Sequence, residues 1–428
     1  LLIFLSVALM ALALPHPQRG DIPKAMLLPV VPTAPIYYYH GTPNKTLEQI
    51  RVCAVNITLG TPPQPVSLVL DTGSPYVWTF DERACMHPHM PEGTRDFCEL
   101  TQSTTELFKS DRSNTSRLLG NGSFGAVFGS DLKARGDWLS DSFGIGSLAG
   151  QNLSMGFARR MNFFEEQSGL LGLDPDFRQL TPGRSILQVM QQQGLIRTRS
   201  FSLALGLTLD HVGGVLFGGH DPSKYHGPIT VLPLQERRFV YAINVSSIAL
   251  TSPEGPPKTL TSDGYTAWGA MDSGTPSMAF PQGIYTEIAK ALGPDGDAAI
   301  PCDRAKEAGS LQFEFGGQGE PSRISMPLTN LMDPLYNIST GAPLMDKHGS
   351  AMCKPSVDSM DASDEPGVVD LNVPFMRSAY VVHNLDEMVL GIAQARTDVD
   401  QASESLDSVV EIKPGDSIWK RPNAAQGC

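Results

Sequence analysis

The feature that most constrains the fold is a short motif that occurs twice. Asp71-Thr72-Gly73-Ser74 returns as Asp272-Ser273-Gly274-Thr275 about 200 residues later. Each copy follows an apolar run, and a second echo comes about 100 residues after each Asp, with Gly172 in the first half and Asn372 in the second. A single match is expected by chance in roughly a few per cent of chains of this length, but a pair in matched apolar contexts is far rarer. The repeat therefore predicts two lobes built on one plan, with the two Asp residues facing each other.

The residues around each Asp have identifiable tasks. Gly73 and Gly274 allow a tight turn close to a partner chain. Neighbouring hydroxyl groups can hold the carboxylates in plane, and they belong to Thr72, Ser74, Ser273 and Thr275.

Two carboxylates brought together cannot both ionise easily, so one keeps its proton while the other accepts one. The ionised carboxylate can deprotonate a water, and the protonated one can donate to a carbonyl oxygen. Asp71 and Asp272 are therefore predicted to be a catalytic pair that uses neither a metal nor another cofactor.

Composition narrows the class of protein. The chain has 428 residues, 41% of them hydrophobic and 18% charged, which is enough globular material for two domains. A net charge of -13 without clusters of Lys and Arg argues against nucleic acid as a partner. Neither paired CxxC motifs nor HExxH occur, which argues against a structural zinc site or a zinc protease.

Three features predict the secretory route. Residues 1–13 resemble a signal peptide, with an apolar run and small residues near its end. Secretion is the predicted localisation, with retention at the cell surface or in a vacuole left open. Seven Asn-x-Ser/Thr sequons provide candidate glycosylation sites at Asn44, Asn56, Asn114, Asn121, Asn152, Asn244 and Asn337.

The six cysteines are the third feature, because an oxidising compartment favours disulfides. Cys85 and Cys98 enclose a short polar loop, and Cys302 and Cys353 enclose a longer one, so these two pairs are the predicted bridges. Cys53 and Cys428 are left over.

Patterning divides the chain into further segments. Residues 14–51 are rich in Pro without a sustained period and are interpreted as a propeptide or leader. Short apolar runs broken by Gly, Pro, Asn and Ser then predict an all-β protein with lobes at 52–204 and 205–398. Helices are expected only at a few places, such as 186–195 and 284–292. Residues 399–428 are acidic and polar and are expected to be a flexible tail.

With these motifs the chain resembles the pepsin-like aspartic proteases, particularly the secreted fungal members. Further segments carry the resemblance, namely 56–64, Trp78 seven residues after Asp71, 213–219 and 375–380. The resemblance covers about residues 52–397. It implies a bilobal all-β fold with a cleft, a monomeric endopeptidase, polypeptide substrates, an acidic pH optimum and synthesis as a zymogen.

The family also carries a hairpin, the flap, over the cleft, with Tyr just before a Gly-rich tip. Leu119-Gly120-Asn121-Gly122 matches that tip, with Leu119 where Tyr is expected. In the family the Tyr hydroxyl reaches the Trp that corresponds to Trp78. The sequence thus predicts a flap that lacks this hydroxyl and carries a possible glycan at Asn121.

Two other classes of protein remain as alternatives. A pepsin-like protein that binds peptides or proteins without cleaving them would usually have lost a catalytic Asp or its hydroxyl neighbour, and this chain keeps both. A two-carboxylate glycosidase is disfavoured because matched turns do not give the two carboxylates unlike environments.

Overall fold

The structure is a computed structural model. It describes residues 25–32, 36–40, 46–50, 53–81, 84, 107–128, 132–161, 169–175, 181–206, 213–235, 241–252, 255–293, 299–316, 322–337, 342–360, 367–396, 398–399 and 408–419.

Strands dominate the first half of the chain. They are β1 (Met26–Pro32), β2 (Ile36–His40), β3 (Thr46–Ile50), β4 (Cys53–Leu59), β5 (Gln64–Asp71), β6 (Val77–Phe80), β7 (Arg117–Phe128), β8 (Leu132–Ile145), β9 (Leu148–Met161), β10 (Gly169–Gly172), β11 (Ser200–Ala204), β12 (Gly213–Phe217), β13 (Gly219–His220) and β14 (Tyr225–Pro233).

The second half is equally rich in strands. They are β15 (Ala242–Thr251), β16 (Lys258–Thr259), β17 (Ala267–Ala270), β18 (Met278–Pro281), β19 (Ile300–Pro301), β20 (Ser310–Phe315), β21 (Ser322–Pro327), β22 (Met332–Asn337), β23 (Met352–Pro355), β24 (Val357–Met360), β25 (Val368–Asp370), β26 (Ala379–Asn384), β27 (Val389–Ala395) and β28 (Val410–Glu411).

Four α-helices are described, namely α1 (Ile186–Gln192), α2 (Gln282–Leu292), α3 (Arg304–Ala308) and α4 (Val373–Met376). Both helices that the sequence predicts are present. Ser185 and Gln188 form a capping box at the start of α1, which satisfies backbone N–H groups that have no partner inside the helix. The all-β prediction is confirmed.

The largest sheet joins the two lobes. Its strand order is β14-β27-β26-β11-β12-β1-β4-β5-β10-β6-β9-β8-β7. A second sheet, β21-β20-β15-β17-β25 with β16 beside β15, is built from the second half, and β19-β23-β22-β3-β2 forms a third. Two small pairs, β13-β28 and β18-β24, complete the pairing.

The strands show two patterns of burial, alternating and continuous. In β20 the buried residues alternate, with Leu311, Phe313 and Phe315 in the core, as expected for a strand with one solvent-exposed face. All six residues of β26 are buried, so this strand is apolar on both faces except where His383 and Asn384 occur.

The sequence repeat is also a structural repeat. β10 lies parallel to β5 with Gly172 opposite Asp71, and β25 lies parallel to β17 with Asp370 opposite Ala270. Each Asp-containing turn therefore follows a strand that is flanked by a parallel strand from its own lobe.

Part of residues 14–51, the Pro-rich segment interpreted as a propeptide or leader, forms strands of the fold. β1 lies inside the largest sheet, with Leu28 opposite Val215 on β12 and Val30 opposite Val55 on β4. Leu28 and Val30 are buried. β2 and β3 pair with each other, and β3 also pairs with β22. Two buried apolar residues were too weak a pattern to predict a strand in a Pro-rich segment.

The expectation of a flexible tail after residue 398 is wrong for residues 408–419. β28 pairs with β13, and the backbone N–H of Ile412 donates to the carbonyl of Gly218 at 2.9 Å. Ile412 and Trp419 are both buried in a cluster with Tyr380 and Val382. Isolated apolar residues anchor this polar segment, so average polarity misrepresented it.

Candidate active site

Two tight turns bring Asp71 and Asp272 together. Asp71 is the last residue of β5, and Asp272 follows β17 by two residues. Asp71 is buried and Asp272 is half-buried, and their carboxyl groups share a hydrogen bond. The predicted facing of the two Asp residues is therefore present.

Each carboxylate is held by donors from its own turn. Asp71 accepts from the Gly73 N–H at 2.7 Å and from the Ser74 hydroxyl at 2.5 Å. Asp272 accepts from the Gly274 N–H at 2.7 Å and from the hydroxyl of Thr275 at 2.7 Å. The matched donors fix both carboxylates in equivalent orientations.

The glycines are required by the closeness of the opposite carboxyl group. A Cβ atom at Gly73 would lie 2.5 Å from Cγ of Asp272, and one at Gly274 would lie 2.8 Å from Oδ1 of Asp71. Both distances are shorter than a side chain tolerates, so any larger residue would push the carboxyl groups apart.

Thr72 and Ser273 connect the two turns to each other. The Thr72 N–H donates to the Ser273 hydroxyl at 3.1 Å, and the Ser273 N–H donates to the Thr72 hydroxyl at 3.0 Å. Each hydroxyl then donates across the interface, from Thr72 to the Met271 carbonyl and from Ser273 to the carbonyl of Leu70. These four buried bonds hold the lobes in register at the carboxyl pair.

Electrostatics favour a shared proton. Burial, followed by the charge of Asp272 and a hydrogen bond from it, raises the pKa of Asp71 well above its ordinary value. The donors Ser74 and Gly73 oppose that rise because they stabilise the ionised form. The pair can therefore supply an acid and a base together.

Gly172 and Asn372, the second pair of repeated positions, form hydrogen bonds to the segments that follow the two Asp turns. The Gly172 N–H donates to the carbonyl of Tyr76, and a Cβ atom at Gly172 would lie 2.5 Å from that carbonyl oxygen. Asn372 donates from its side-chain amide to the Ser277 carbonyl at 2.8 Å. The φ of Asn372 is -82°, outside the left-handed region. Its amide connects the segment after β25 to the residue between the second Asp turn and β18.

The prediction that Leu119, Gly120, Asn121 and Gly122 form the flap tip is wrong. They lie inside β7, whose pairing with β8 continues past them from Gly120 opposite Trp138 to Phe124 opposite Gly136. The extra residues of β7 form a bulge. Gly122 has φ 64° and donates its N–H to Asp137 at 2.8 Å, so the Gly-rich segment is used for a bulge rather than for a turn.

The pairing of β7 with β8 ends farther along the chain. β7 and β8 pair as far as Phe128 opposite Leu132, and the intervening residues 129–131 lie outside the described part. The ring of Phe128 lies 6.0 Å from the ring of Trp78, measured between centroids. Trp78 is buried among aromatic side chains that include Phe80 and Phe124.

Sequence reasoning missed a buried ion cluster beside the bulge. Arg159 bonds to Asp137 at 3.0 Å and also contacts Asp81. Asp137 and Asp81 are buried, and Asp137 also accepts the bulge N–H of Gly122. The signal that could have found this cluster is the presence of charged residues in otherwise apolar strands.

Tyr241 is a second residue of the site that the sequence did not predict. Its hydroxyl donates to the Leu173 carbonyl at 2.6 Å. Tyr241 is buried, and its side chain reaches from one lobe to the loop behind the Asp of the other. Nothing in the sequence around residue 241 marks it as part of the site.

The remaining predicted residues have separate outcomes. The Cys302–Cys353 disulfide is confirmed. Cys85, Cys98, Cys428, Asn44 and residues 1–13 lie outside the described residues. Cys53 is buried as a thiol, and burial raises its pKa to about 11. The described sequon residues are exposed at Asn56, Asn114, Asn121 and Asn152 and half-buried at Asn244 and Asn337.

Two features are absent from the described ranges. They contain no group of three or more His, Cys, Asp or Glu side chains arranged to hold a metal ion. In the same ranges no helix is both long enough and apolar enough to cross a bilayer.

Comparison with known proteins places the chain in a family. The model of the eukaryotic aspartyl protease family matches residues 53–395, and the chain belongs to that family. It is therefore an aspartic-type endopeptidase, a hydrolase of peptide bonds.

Similar curated proteins are fungal. The chain is 27% identical over 398 residues to opsB of Aspergillus oryzae, described as a probable aspartic-type endopeptidase, covering 87% of this chain and 74% of that protein. It is 27% identical over 357 residues to secreted aspartic protease 4 of Candida albicans, covering 82% and 78% of the two chains. The crystal structure of the aspartic proteinase from Irpex lacteus shares the fold, with a TM-score of 0.62, 20% identity and coverage of 89% and 100%.

Proposed function

We propose that Asp71 and Asp272 together activate a water molecule that hydrolyses peptide bonds. The observation that carries this proposal is the geometry of the pair, in which two hydrogen-bonded carboxyl groups are each oriented by one backbone N–H and one hydroxyl. Such a pair can hold one water between an acid and a base without a metal.

The reaction needs one proton and one base from the pair. The ionised carboxylate takes a proton from the water as its oxygen bonds to the carbonyl carbon, and the protonated carboxyl donates to the carbonyl oxygen. The tetrahedral intermediate then collapses: one of its hydroxyl groups returns a proton to the ionised carboxylate, the C–N bond breaks, and the leaving nitrogen receives the proton of the protonated carboxyl group. One carboxyl group is left protonated and the other ionised, so the pair is ready for the next cycle.

An acidic pH optimum follows from the shared proton. Because the pKa of Asp71 is raised, the singly protonated pair persists to higher pH than two independent carboxyl groups would allow. Activity falls as pH rises through this raised value, since the acid is lost. It also falls in strong acid, where the base is protonated.

The β7–β8 hairpin is the element proposed to close over the cleft, in place of the segment around Leu119. Its paired end at Phe128 lies against Trp78, which follows the Asp71 turn on β6. Closure of such a hairpin would exclude water from the carboxyl pair.

The substrates are proposed to be polypeptides, and the working form a secreted monomer. Relatives from Candida albicans are named secreted aspartic proteases. The exposed sequons and the Cys302–Cys353 disulfide agree with passage through an oxidising compartment.

The test is digestion of an unfolded protein by the purified chain at several pH values, with and without a statine-type inhibitor. We expect new peptide ends at acidic pH, abolition by the inhibitor, and no effect of EDTA. A folded chain that binds the inhibitor but produces no new ends at any pH would favour the peptide-binding alternative. Loss of activity in EDTA that added metal restores would contradict the water mechanism.

A further inference from the structure

We propose that Tyr241 is a positioning residue that ties the two Asp-containing loops together, an inference that rests on the proposed role of Asp71 and Asp272. Tyr241 directly precedes β15. Its backbone carbonyl accepts a hydrogen bond from the N–H of Met271 at 3.0 Å, and its hydroxyl donates to the carbonyl of Leu173 at 2.6 Å.

The partner in each of these hydrogen bonds is itself bonded to one of the two Asp residues. Met271 is bonded covalently to Asp272. Leu173 donates its own N–H to the backbone carbonyl of Asp71 at 2.8 Å. Tyr241 therefore contacts the main chain behind both members of the pair, with its backbone on one side and its side chain on the other.

The connection differs from the one made by Thr72 and Ser273. Those residues join the two turns directly at the interface between the lobes. Tyr241 instead fixes the support behind the first turn, because Leu173 belongs to the segment that follows β10. Removal of its hydroxyl would leave the Leu173 carbonyl in the interior without this donor.

The aromatic ring is held in place independently of its hydroxyl. Phe201 lies against it with ring centroids 6.1 Å apart and planes at 79°, and His383 does so at 4.4 Å and 78°. A Phe side chain at position 241 would keep both contacts. The hydroxyl contribution can thus be removed without opening a cavity.

The hydroxyl also remains a donor throughout the acidic range. Burial, followed by the nearby charge of Asp174, raises the pKa of Tyr241 well above its ordinary value, and Arg199 opposes this rise. The phenol is neutral at every pH where the enzyme would work, so its hydrogen bond to the Leu173 carbonyl does not change with pH.

The tie matters because the pair must share one water and one proton. A shift of Asp71 of a fraction of an ångström would weaken its hydrogen bond to Asp272 and misplace the water. The chemical step would slow, whereas substrate binding along the rest of the cleft would be unaffected. The coupling that separates the two apparent pKa values would also decrease, so the bell-shaped pH profile would narrow.

The experiment compares Tyr241→Phe with Tyr265→Phe in the full chain. Tyr265 is a matched control because it is half-buried and its hydroxyl has no hydrogen-bond partner among the described residues. Initial rates on one apolar peptide give kcat and KM across pH, and titration with a tight-binding statine-type inhibitor counts active sites. Because kcat is calculated per active site, misfolded molecules do not lower it.

We expect Tyr241→Phe to lower kcat per active site by about 3- to 30-fold, to change KM by less than about twofold, and to narrow the pH profile. Tyr265→Phe should leave all three unchanged. An active wild type with the same kcat and profile width as Tyr241→Phe would overturn this inference alone, even if that variant were less stable. A folded wild type that cleaves nothing would overturn the proposed function and this inference with it.

Discussion

The ring of Phe128 packs against the indole of Trp78, with centroids 6.0 Å apart and planes inclined by 30°. This contact joins the paired end of the β7–β8 hairpin to the strand that follows the Asp71 turn. The resemblance led us to expect the hairpin residue next to Trp78 at Leu119, and the structure has Phe128 next to Trp78.

The first prediction concerns a hydroxyl at this contact. Phe128→Tyr would add a donor or acceptor at the hairpin end, and a neutral hydrogen bond contributes about 0.5 to 1.5 kcal/mol. If that bond holds the hairpin closed, the specificity constant should rise by roughly two- to tenfold. Leu119→Tyr is the control and should have no effect, since Leu119 lies within the strand at the bulge. A higher specificity constant for Leu119→Tyr, with no change for Phe128→Tyr, would show that Leu119 holds the flap position, as the sequence predicts.

The second prediction concerns stability in acid. His383 is fully buried and stacked on Phe201 with ring centroids 4.1 Å apart, and burial lowers its pKa to about 3, while a hydrogen bond with the Phe201 backbone opposes this shift. Tyr241 packs against its other side, and no charged group contributes to the shift. The unfolded chain binds a proton to this residue below about pH 6.5, whereas the folded chain does so only near pH 3. The folded state is therefore not penalised above pH 6.5 and loses stability as the pH falls from there towards 3.

His383→Phe should relieve this acid penalty while keeping the aromatic contacts. Relative to its effect at pH 7.5, the substitution should stabilise the protein at pH 4 by about 3 kcal/mol. Denaturant unfolding at both pH values measures this difference. An equal effect of His383→Phe at pH 4 and pH 7.5 would mean that the folded histidine is protonated.

The third prediction concerns the boundary of the leader. Because β1 lies between β12 and β4, a chain that begins at residue 25 should fold, whereas one that begins at residue 52 should lose an internal strand. Burial of Leu28 and Val30 contributes about 1.5 to 3 kcal/mol for each side chain. Soluble yield and thermal unfolding of the two truncated chains decide the matter. Equal stability would support removal of all of residues 14–51 in the mature enzyme.

The fourth prediction concerns the segment after the family match. Trp419→Ala should destabilise the fold by about 3 to 5 kcal/mol, because the indole is buried in one apolar cluster with Ile412 and Tyr380. The neighbouring Ile418 is exposed, so Ile418→Ala should change the free energy of unfolding by less than about 0.5 kcal/mol. Similar small effects of both substitutions would show that residues 408–419 are dispensable for stability.

The sequence predicted the part of the site that depends on local chemistry. The two Asp turns, their glycines and their hydroxyl donors could be read from the repeat, because each contact lies within a few residues of its Asp. The closeness of Gly73 to Asp272 followed from the inferred two-fold plan.

Features set by pairing register or by distant packing could not be predicted. The Gly-rich stretch at Gly120 and Gly122 has the composition of a turn, yet pairing with β8 and the acceptor Asp137 use it as a bulge. Tyr241 acts through Leu173, 68 residues away in sequence, so no local pattern reveals it.

The most direct test of the central claim is the activity of Asp71→Asn and Asp272→Asn, measured per folded molecule on one peptide from pH 2 to 8. Asn keeps the shape of Asp but cannot exchange a proton, so both variants should unfold near the wild-type temperature and lose at least about 100-fold in kcat at every pH. Wild type should show a bell-shaped profile on the acid side. Retention of wild-type turnover by either folded variant would contradict the proposal that the two carboxyl groups act as one catalytic pair.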